Sequence, residues 1–299
     1  MPAYKIGIDV GGTKIEGIIL DQSDRTLFRR RMPTEQERGY DHILTSIHSL
    51  YTMMLSRIAG ADHTVGIGTP GAISRKTGLL KNSNTECFNG KPVREDLAGL
   101  FGRNIAVEND ANCFALAETM MGAVIGNELV FGIIMGTGCG GGIVHHGTCI
   151  SGLQAIAGEW GHMTIDPNGP ACWCGLRGCV ETVISGGGLQ KLYHSRYGER
   201  LELPAIIEKY RAGEPDASSF MSEFFTNFGR ATANVINILD PDIIVLGGGV
   251  SNCDELYSTG AEQVRRFVFT DSFDTPIVKN QLGDSAGVIG AAFVGAQEC

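Results

Sequence analysis

Two stretches of this chain run strand, glycine-and-threonine tip, strand, and they constrain the fold more than any other feature. In the first, Lys5-Ile6-Gly7-Ile8-Asp9-Val10 alternates as a strand, breaks at Gly11-Gly12-Thr13, and resumes with Lys14-Ile15-Glu16-Gly17-Ile18-Ile19-Leu20. In the second, Leu129 to Met135 runs into Gly136-Thr137-Gly138-Cys139-Gly140-Gly141-Gly142 and leaves through Ile143-Val144. Gly136, Gly138 and Gly141 satisfy the dinucleotide-binding spacing, but that fingerprint and the Walker loop both feed a helix N-terminus. Here a strand follows each time. Each stretch therefore reads as a β-hairpin whose tip offers backbone amides and a threonine hydroxyl. Asp9, just before the first tip, is placed to hold a hydrated Mg²⁺. Two such hairpins, one per half of the chain, are what a cleft gripping a polyphosphate from both sides needs. Plain hairpins with glycine turns are the alternative.

Between the hairpins lies Glu108-Asn109-Asp110-Ala111-Asn112. Asn104 to Val107 before it reads as a short buried strand, and Cys113 to Glu118 after it opens a helix of strong helix formers. Asp110 thus sits where a strand ends and a helix begins, a place where open α/β sheets put catalytic carboxylates. A helix N-cap is the other reading of the same position. Upstream, Tyr40 to Ala59 reads as a helix with Ile43, Ile47, Leu50, Met54, Leu55 and Ile58 on one face. Thr64 to Thr69 reads as a buried strand, and a loop then carries Asn82, Ser83 and Asn84.

The cysteine pattern adds a metal. Of nine cysteines, Cys87, Cys113, Cys139, Cys149, Cys253 and Cys299 are scattered and read as small hydrophobes or surface thiols, while Cys172, Cys174 and Cys179 cluster. With His162 they make a Cys₃His set suited to a structural, tetrahedral Zn²⁺. Glu159 and Glu181 flank these ligands and could hydrogen-bond a polyhydroxylated molecule. Farther on, Ala217 to Leu239 reads as a helix with the stripe Phe220, Phe224, Phe228, Ala231, Val235 and Ile238. The buried strand Asp242 to Leu246 leads into Gly247-Gly248-Gly249-Val250-Ser251-Asn252, where a flat ring can lie against backbone. Gly283-Asp284-Ser285 caps a small-residue helix suited to close packing against the helix after Asp110, as a hinge between halves.

Composition limits the partners. A formal net charge of −9, with no basic cluster longer than Arg29-Arg30-Arg31, argues against nucleic acid. No apolar run approaches the roughly 18–20 residues that span a bilayer, and Met1 to Lys5 carries no signal-peptide pattern. The expectation is a cytoplasmic protein without a membrane partner. At 299 residues the chain has room for two compact α/β domains.

Taken together, these motifs resemble those of the ROK family (repressors, open reading frames, kinases), over essentially the whole length. Asp9 to Lys14 is similar to the family's first phosphate motif, Gly136 to Ile143 to the second, and Ile243 to Asn252 to the adenosine motif. Glu108 to Asn112 and Ser285 to Phe293 resemble the two connecting motifs. Glu159 to His162 and Cys172 to Glu181 resemble the sugar and zinc signatures. The resemblance implies a two-domain hexokinase/actin-like (ribonuclease H-like) α/β ATPase fold with a cleft between domains. Residues 1–117 and 285–299 would form one domain and 118–284 the other.

The implied activity is ATP-dependent phosphorylation of a hexose 6-hydroxyl. Asn82-Ser83-Asn84, Asn89-Gly90, Asn237 to Asp242 and Phe267 to Pro276 look most like the bacterial fructokinase/mannokinase branch, so fructose is the expected sugar. N-acetylglucosamine kinase or glucokinase is the alternative. Asp110 would be the general base. Asn84, Asn109, Asp110, Glu159, His162 and Glu181 would hold the sugar. Asp9, Gly11, Gly12, Thr13, Lys14, Gly136, Thr137, Gly138, Gly140, Gly141, Gly248, Gly249 and Asn252 would hold Mg²⁺ and ATP. His162, Cys172, Cys174 and Cys179 would bind zinc, and the family suggests a homodimer. Repressor members place a helix-turn-helix domain ahead of the first phosphate motif, which here begins at Asp9. That favours an enzyme over a non-catalytic, sugar-sensing regulator.

Overall fold

The computed structural model describes residues 2–297. The chain first lays down β1 (Tyr4–Val10), β2 (Lys14–Asp21), β3 (Thr26–Pro33), α1 (Tyr40–Arg57) and β4 (His63–Thr69). It continues through β5 (Ala72–Ile73), β6 (Leu80–Lys81), α2 (Val93–Phe101), β7 (Ala106–Asn109) and α3 (Asp110–Met121). Then come β8 (Leu129–Met135), β9 (Cys139–His145), β10 (Thr148–Cys149), α4 (Val180–Ile184), α5 (Gly186–Tyr197), α6 (Leu203–Arg211) and α7 (Pro215–Leu239). The last elements are β11 (Ile243–Gly247), α8 (Thr259–Phe267), β12 (Ile277–Lys279) and α9 (Ala286–Gln297). Contacts divide the chain into two units. The first takes everything up to Gly122, Gly142–Ala157, and the chain from Asp284 onward; the second takes Ala123–Gly141 and Gly158–Gly283. Cys299 lies outside the described residues.

In the first unit the sheet order is β3-β2-β1-β4-β7. β1, β2 and β3 form an antiparallel meander, while β4 and β7 run parallel to β1. The period of α1 turns Ile43, Ile47, Leu50 and Met54 onto Ile6, Ile8, Ile15, Ile19 and Ile67, all essentially excluded from water. Each such side chain contributes about 1.5–3 kcal/mol on burial. The small residues of α9 let its backbone lie directly on its neighbours. A Cβ on Gly66 of β4 would stand 1.9 Å from the Ala291 carbonyl oxygen, and one on Gly290 would stand 1.8 Å from that of Cys113 in α3. The expected packing of α9 on α3 is thus accompanied by equally close packing on the sheet.

In the second unit β8, β11 and β12 run parallel, with β11 between the other two. α7 buries Phe220, Phe224, Phe228, Ala231 and Val235, but Ile238 is 83% exposed. Its last turn points Ile236 inward instead, just before Asp240 ends the helix in the left-handed region.

Three of the differences from the boundaries read in sequence bear on the site. Gly142–Ala157 groups with the first unit instead of the second. There Gly142 lies against α3, Ser151 Oγ donates to Glu108 Oε2 at 2.7 Å, and Lys81 Nζ donates to the Gln154 carbonyl. β9 therefore begins in one unit and ends in the other. β7 lies two residues later than expected, so that it carries Glu108 and Asn109, and α3 starts at Asp110 instead of Cys113.

Candidate functional site

In the first unit the turn between β1 and β2 is clamped by Thr34, the residue that follows β3. Gly11 N donates to Lys14 O at 2.9 Å, Thr34 Oγ1 donates to Gly11 O at 2.6 Å, and Thr34 N donates to Thr13 O. Thr13 stays exposed, and among the described residues a Cβ on Gly12 would meet nothing nearer than 3.8 Å, so the outer face of the tip is open to them. Lys14 Nζ lies 3.4 Å from the Asp284 carbonyl oxygen.

Asp9 ends β1 with its carboxylate hemmed by Gly68 and Gly287; a Cβ on Gly287 would lie 2.9 Å from Oδ2. Burial, then the negative charge of Asp110, push its carboxyl up to about 7, while Lys14 acts in the opposite direction. A desolvated carboxylate beside a second carboxylate is the kind of donor set that a hard divalent cation satisfies.

Beneath the same hairpin, Glu16 is fully buried and paired with Arg29 and Arg31. These two arginines share one face of β3 because strand side chains alternate. The basic run is therefore largely spent on one buried carboxylate.

At the β7–α3 junction the cap is Asn109, not Asp110. Asn109 has extended backbone (φ −64°, ψ 145°), and its Oδ1 accepts from Ala111 N at 2.9 Å and Asn112 N at 3.4 Å. Its Nδ2 donates to Gly71 O. Asp110 is the first helical residue, partly exposed, with Oδ1 accepting from Ala111 N at 2.8 Å. Its place in the first turn favours the anion through the helix dipole. Glu108 completes the junction, its Oε1 accepting from Asn109 N and Asn112 Nδ2 and its Oε2 from Ser151. A recess of about 420 Å³ opens beside Asn109, its wall mixing Ala72, Ile73 and Val107 with Arg75, Arg94 and Glu108. Asn84 is exposed on a loop shaped by Ser83 N donating to Asn89 Oδ1 and Asn89 Nδ2 donating to Ser83 O.

In the second unit the β8–β9 tip is closed by Gly136 N donating to Gly138 O at 2.9 Å. The N-terminus of α5 supports it, with Gly186 N donating to Gly136 O at 2.8 Å. Thr137 is exposed, and among the described residues nothing would meet a Cβ on Gly136 within 4 Å. Gly140 and Gly141 differ from the tip. Trp160 Nε1 donates to Gly140 O, and a Cβ on Gly141 would lie 2.6 Å from the Trp160 ring, so these two glycines serve packing.

After β11, Gly248 adopts φ 80° against Met135, while Gly249 faces open space and Asn252 is exposed. Glu159 precedes the short turn Trp160–His162, and its carbonyl accepts from His162 N. Glu181 accepts from Cys139 N with Oε2 and from Trp173 Nε1 with Oε1.

The four predicted metal ligands do come together. The ligand atoms of His162, Cys172, Cys174 and Cys179 all lie within 4.8 Å of one another. His162 Nδ1 is 3.7 Å from Cys172 Sγ, and Cys174 Sγ is 3.6 Å from Cys179 Sγ. Zinc–sulfur bonds of about 2.3 Å give tetrahedron edges of about 3.8 Å, so the set fits one ion. The loop is folded back by Cys172 N donating to Leu176 O and Val180 N donating to Met163 O. A Cβ on Gly178 would overlap the Asp166 carbonyl oxygen at 1.5 Å.

Several residues on which the fructokinase branch rested have scaffolding roles. Asn89 shapes the 82–84 loop, Asn237 Oδ1 accepts from Phe269 N, and Asp242 Oδ2 accepts from Glu128 N and Leu129 N. Glu16, Thr34 and Ser151 have no role in the sequence reading, and Glu108 enters it only as part of the 108–112 stretch. Glu16 alone left a signal, an acidic residue in an apolar strand followed by a strand with alternating arginines.

A family model described as the ROK family matches residues 5–298. N-acetyl-D-glucosamine kinase of Vibrio atlanticus (strain LGP32) is 35% identical, over 96% of this chain and 98% of its own. The enzyme of that name from Pectobacterium atrosepticum is 36% identical, over 96% and 97%. Among solved structures, a ROK hexokinase from Thermus thermophilus aligns with TM-score 0.88 and 31% identity, covering 99% of this chain and 98% of its own. A ROK family glucokinase from Streptomyces griseus, in complex with glucose and AMPPNP, aligns with TM-score 0.78 and 29% identity over 98% and 99%.

Proposed function

We propose, from the premise that this chain belongs to the ROK family and has its two-domain, actin-like sugar-kinase fold, that it phosphorylates N-acetyl-D-glucosamine with ATP. The choice of sugar is carried by near-full-length likeness to enzymes of that name, which replaces the fructose expected from the loop motifs. The recess beside Asn109 mixes apolar wall (Ala72, Ile73, Val107) with polar groups including Arg75, Arg94 and Glu108, so it can meet both the methyl and the amide of an acetamido group. Intact Thr13, Lys14, Thr137 and Asp110 favour catalysis over sugar sensing.

Asp110 draws the proton from the attacking 6-hydroxyl, a role that contributes about 10²–10⁴-fold. Asn109 caps α3 and so fixes the backbone from which the base projects. The amides and threonine of each tip are donors suited to phosphate oxygens, and in phosphoryl transfer alignment and charge neutralisation dominate the barrier. Asp9 is the carboxylate that would hold Mg²⁺, which neutralises charge on the transferring phosphoryl group. His162, Cys172, Cys174 and Cys179 would hold zinc, a structural ion because four protein ligands complete its tetrahedron. His162 uses Nδ1 in that set and keeps Nε2 for the sugar, with Glu159 nearby in sequence.

A coupled ADP-release assay across N-acetylglucosamine, N-acetylmannosamine, glucose, mannose and fructose tests the reading. Highest kcat/KM for N-acetylglucosamine is expected. A tenfold preference for fructose or glucose would overturn the sugar, and no turnover with any of them would overturn the kinase.

A further inference from the structure

Glu181 is held between two parts of the second unit. Its Oε1 accepts from the Trp173 indole N–H at 2.8 Å, and its Oε2 accepts from the Cys139 amide, at the root of the β8–β9 tip, at 3.0 Å. Gly138 makes this approach possible, because a Cβ there would lie 2.7 Å from Oε2. Trp173 stands between two metal-ligand cysteines and packs edge-on against the ring of a third ligand, His162, at 5.0 Å between centroids. The four-ligand loop thus reaches the glycine tip through one indole and one carboxylate.

We infer that Trp173 and Glu181 are a positioning pair that sets the shape of the β8–β9 tip and so couples the order of the metal loop to nucleotide affinity. This rests on reading that tip as a phosphate hairpin. Glycine-rich backbone has the most conformational freedom to lose on ordering, so an anchor that orders it beforehand is returned as affinity. A bond from an amide to a carboxylate is charge-assisted and stronger than one between neutral groups. Trp173 acts through Glu181 and touches no substrate in this scheme.

The test is calorimetric titration of Mg·AMPPNP into wild type, Glu181→Gln, Trp173→Phe and the double variant, with sugar KM measured alongside. A glutamine presents one oxygen and one NH₂, so it cannot accept from both Cys139 and Trp173, and its NH₂ is forced against a donor. Glu181→Gln should weaken nucleotide binding about tenfold, the scale of one charged hydrogen bond. Trp173→Phe keeps a ring against His162 and removes the competing donor. In that background the glutamine oxygen can serve Cys139, and the same substitution should cost less than about threefold.

Gly138→Ala, which displaces Glu181 from the tip side without changing a metal ligand, should weaken AMPPNP binding in parallel. Unchanged AMPPNP affinity in Glu181→Gln with raised sugar KM, equal in both backgrounds, would overturn the inference and leave Glu181 a sugar contact alone. Failure of wild type to bind AMPPNP would overturn the phosphate-hairpin reading itself, and the inference with it.

Discussion

Asp9→Asn should stabilise the metal-free protein at pH 8 while removing its use of Mg·ATP. The Asp9 carboxyl is raised from 3.8 to about 7, first by burial and next by the charge of Asp110. A folded-state value above the unfolded one means that this group's favourable contribution is complete below about pH 3.8. It is lost as pH rises through about 7, where the folded protein must carry the buried charge. Each unit corresponds to about 1.4 kcal/mol, so a shift of roughly three units sets an upper bound near 4 kcal/mol. Asp9 is only partly buried, and solvent screening reduces that to about 2 kcal/mol. Asparagine has the same shape and no charge at any pH. The difference in unfolding free energy, variant minus wild type, should therefore be near zero at pH 4 and grow to about 2 kcal/mol by pH 8. Urea unfolding in EDTA, followed by far-UV circular dichroism at several pH values, measures it. A difference that does not change with pH, or a variant less stable than wild type at pH 8, would refute the reasoning.

Asp110→Asn should lower kcat by about 10²–10⁴ while sugar binding, measured by calorimetry, persists; near-normal turnover would return Asp110 to a structural role. Cys172→Ala and Cys179→Ala should each lose stoichiometric zinc by metal analysis, and zinc retained by both would refute the site. Glu16→Gln leaves Arg29 and Arg31 without their carboxylate. Breaking a fully buried pair costs about 3–5 kcal/mol, and the partly exposed arginines bring this to about 1–3 kcal/mol. An unshifted unfolding midpoint would show that the network contributes nothing.

What could be read from the chain was whatever adjacent residues carry. Both glycine tips, the carboxylate at a strand–helix turn and the Cys₃His cluster are short stretches whose chemistry is local. Partners far apart in sequence were out of reach, as with Glu108 and Ser151 or Glu181 and Cys139, because only the folded backbone brings them together. Arg29-Arg30-Arg31 looked like a charge run when counted, and became two buried-pair partners once alternation put Arg29 and Arg31 on one face.

The sharpest case is the cap of α3. Asn and Asp are comparable N-caps, so Asn109-Asp110 could be read either way, and the choice falls to backbone angles that no residue type dictates. Asn109 is extended and takes the capping bonds, which makes Asp110 the first residue inside the helix. That shift of one position matters for chemistry. The N2 amide of Ala111 lies 2.9 Å from Asn109 Oδ1 and 2.8 Å from Asp110 Oδ1, so the two side chains share that donor, while the N3 amide of Asn112 reaches Asn109 Oδ1 at 3.4 Å. Asp110 then sits in the stabilising field of the helix end with Oδ1 accepting from Ala111 N at 2.8 Å, and both effects favour its ionised form.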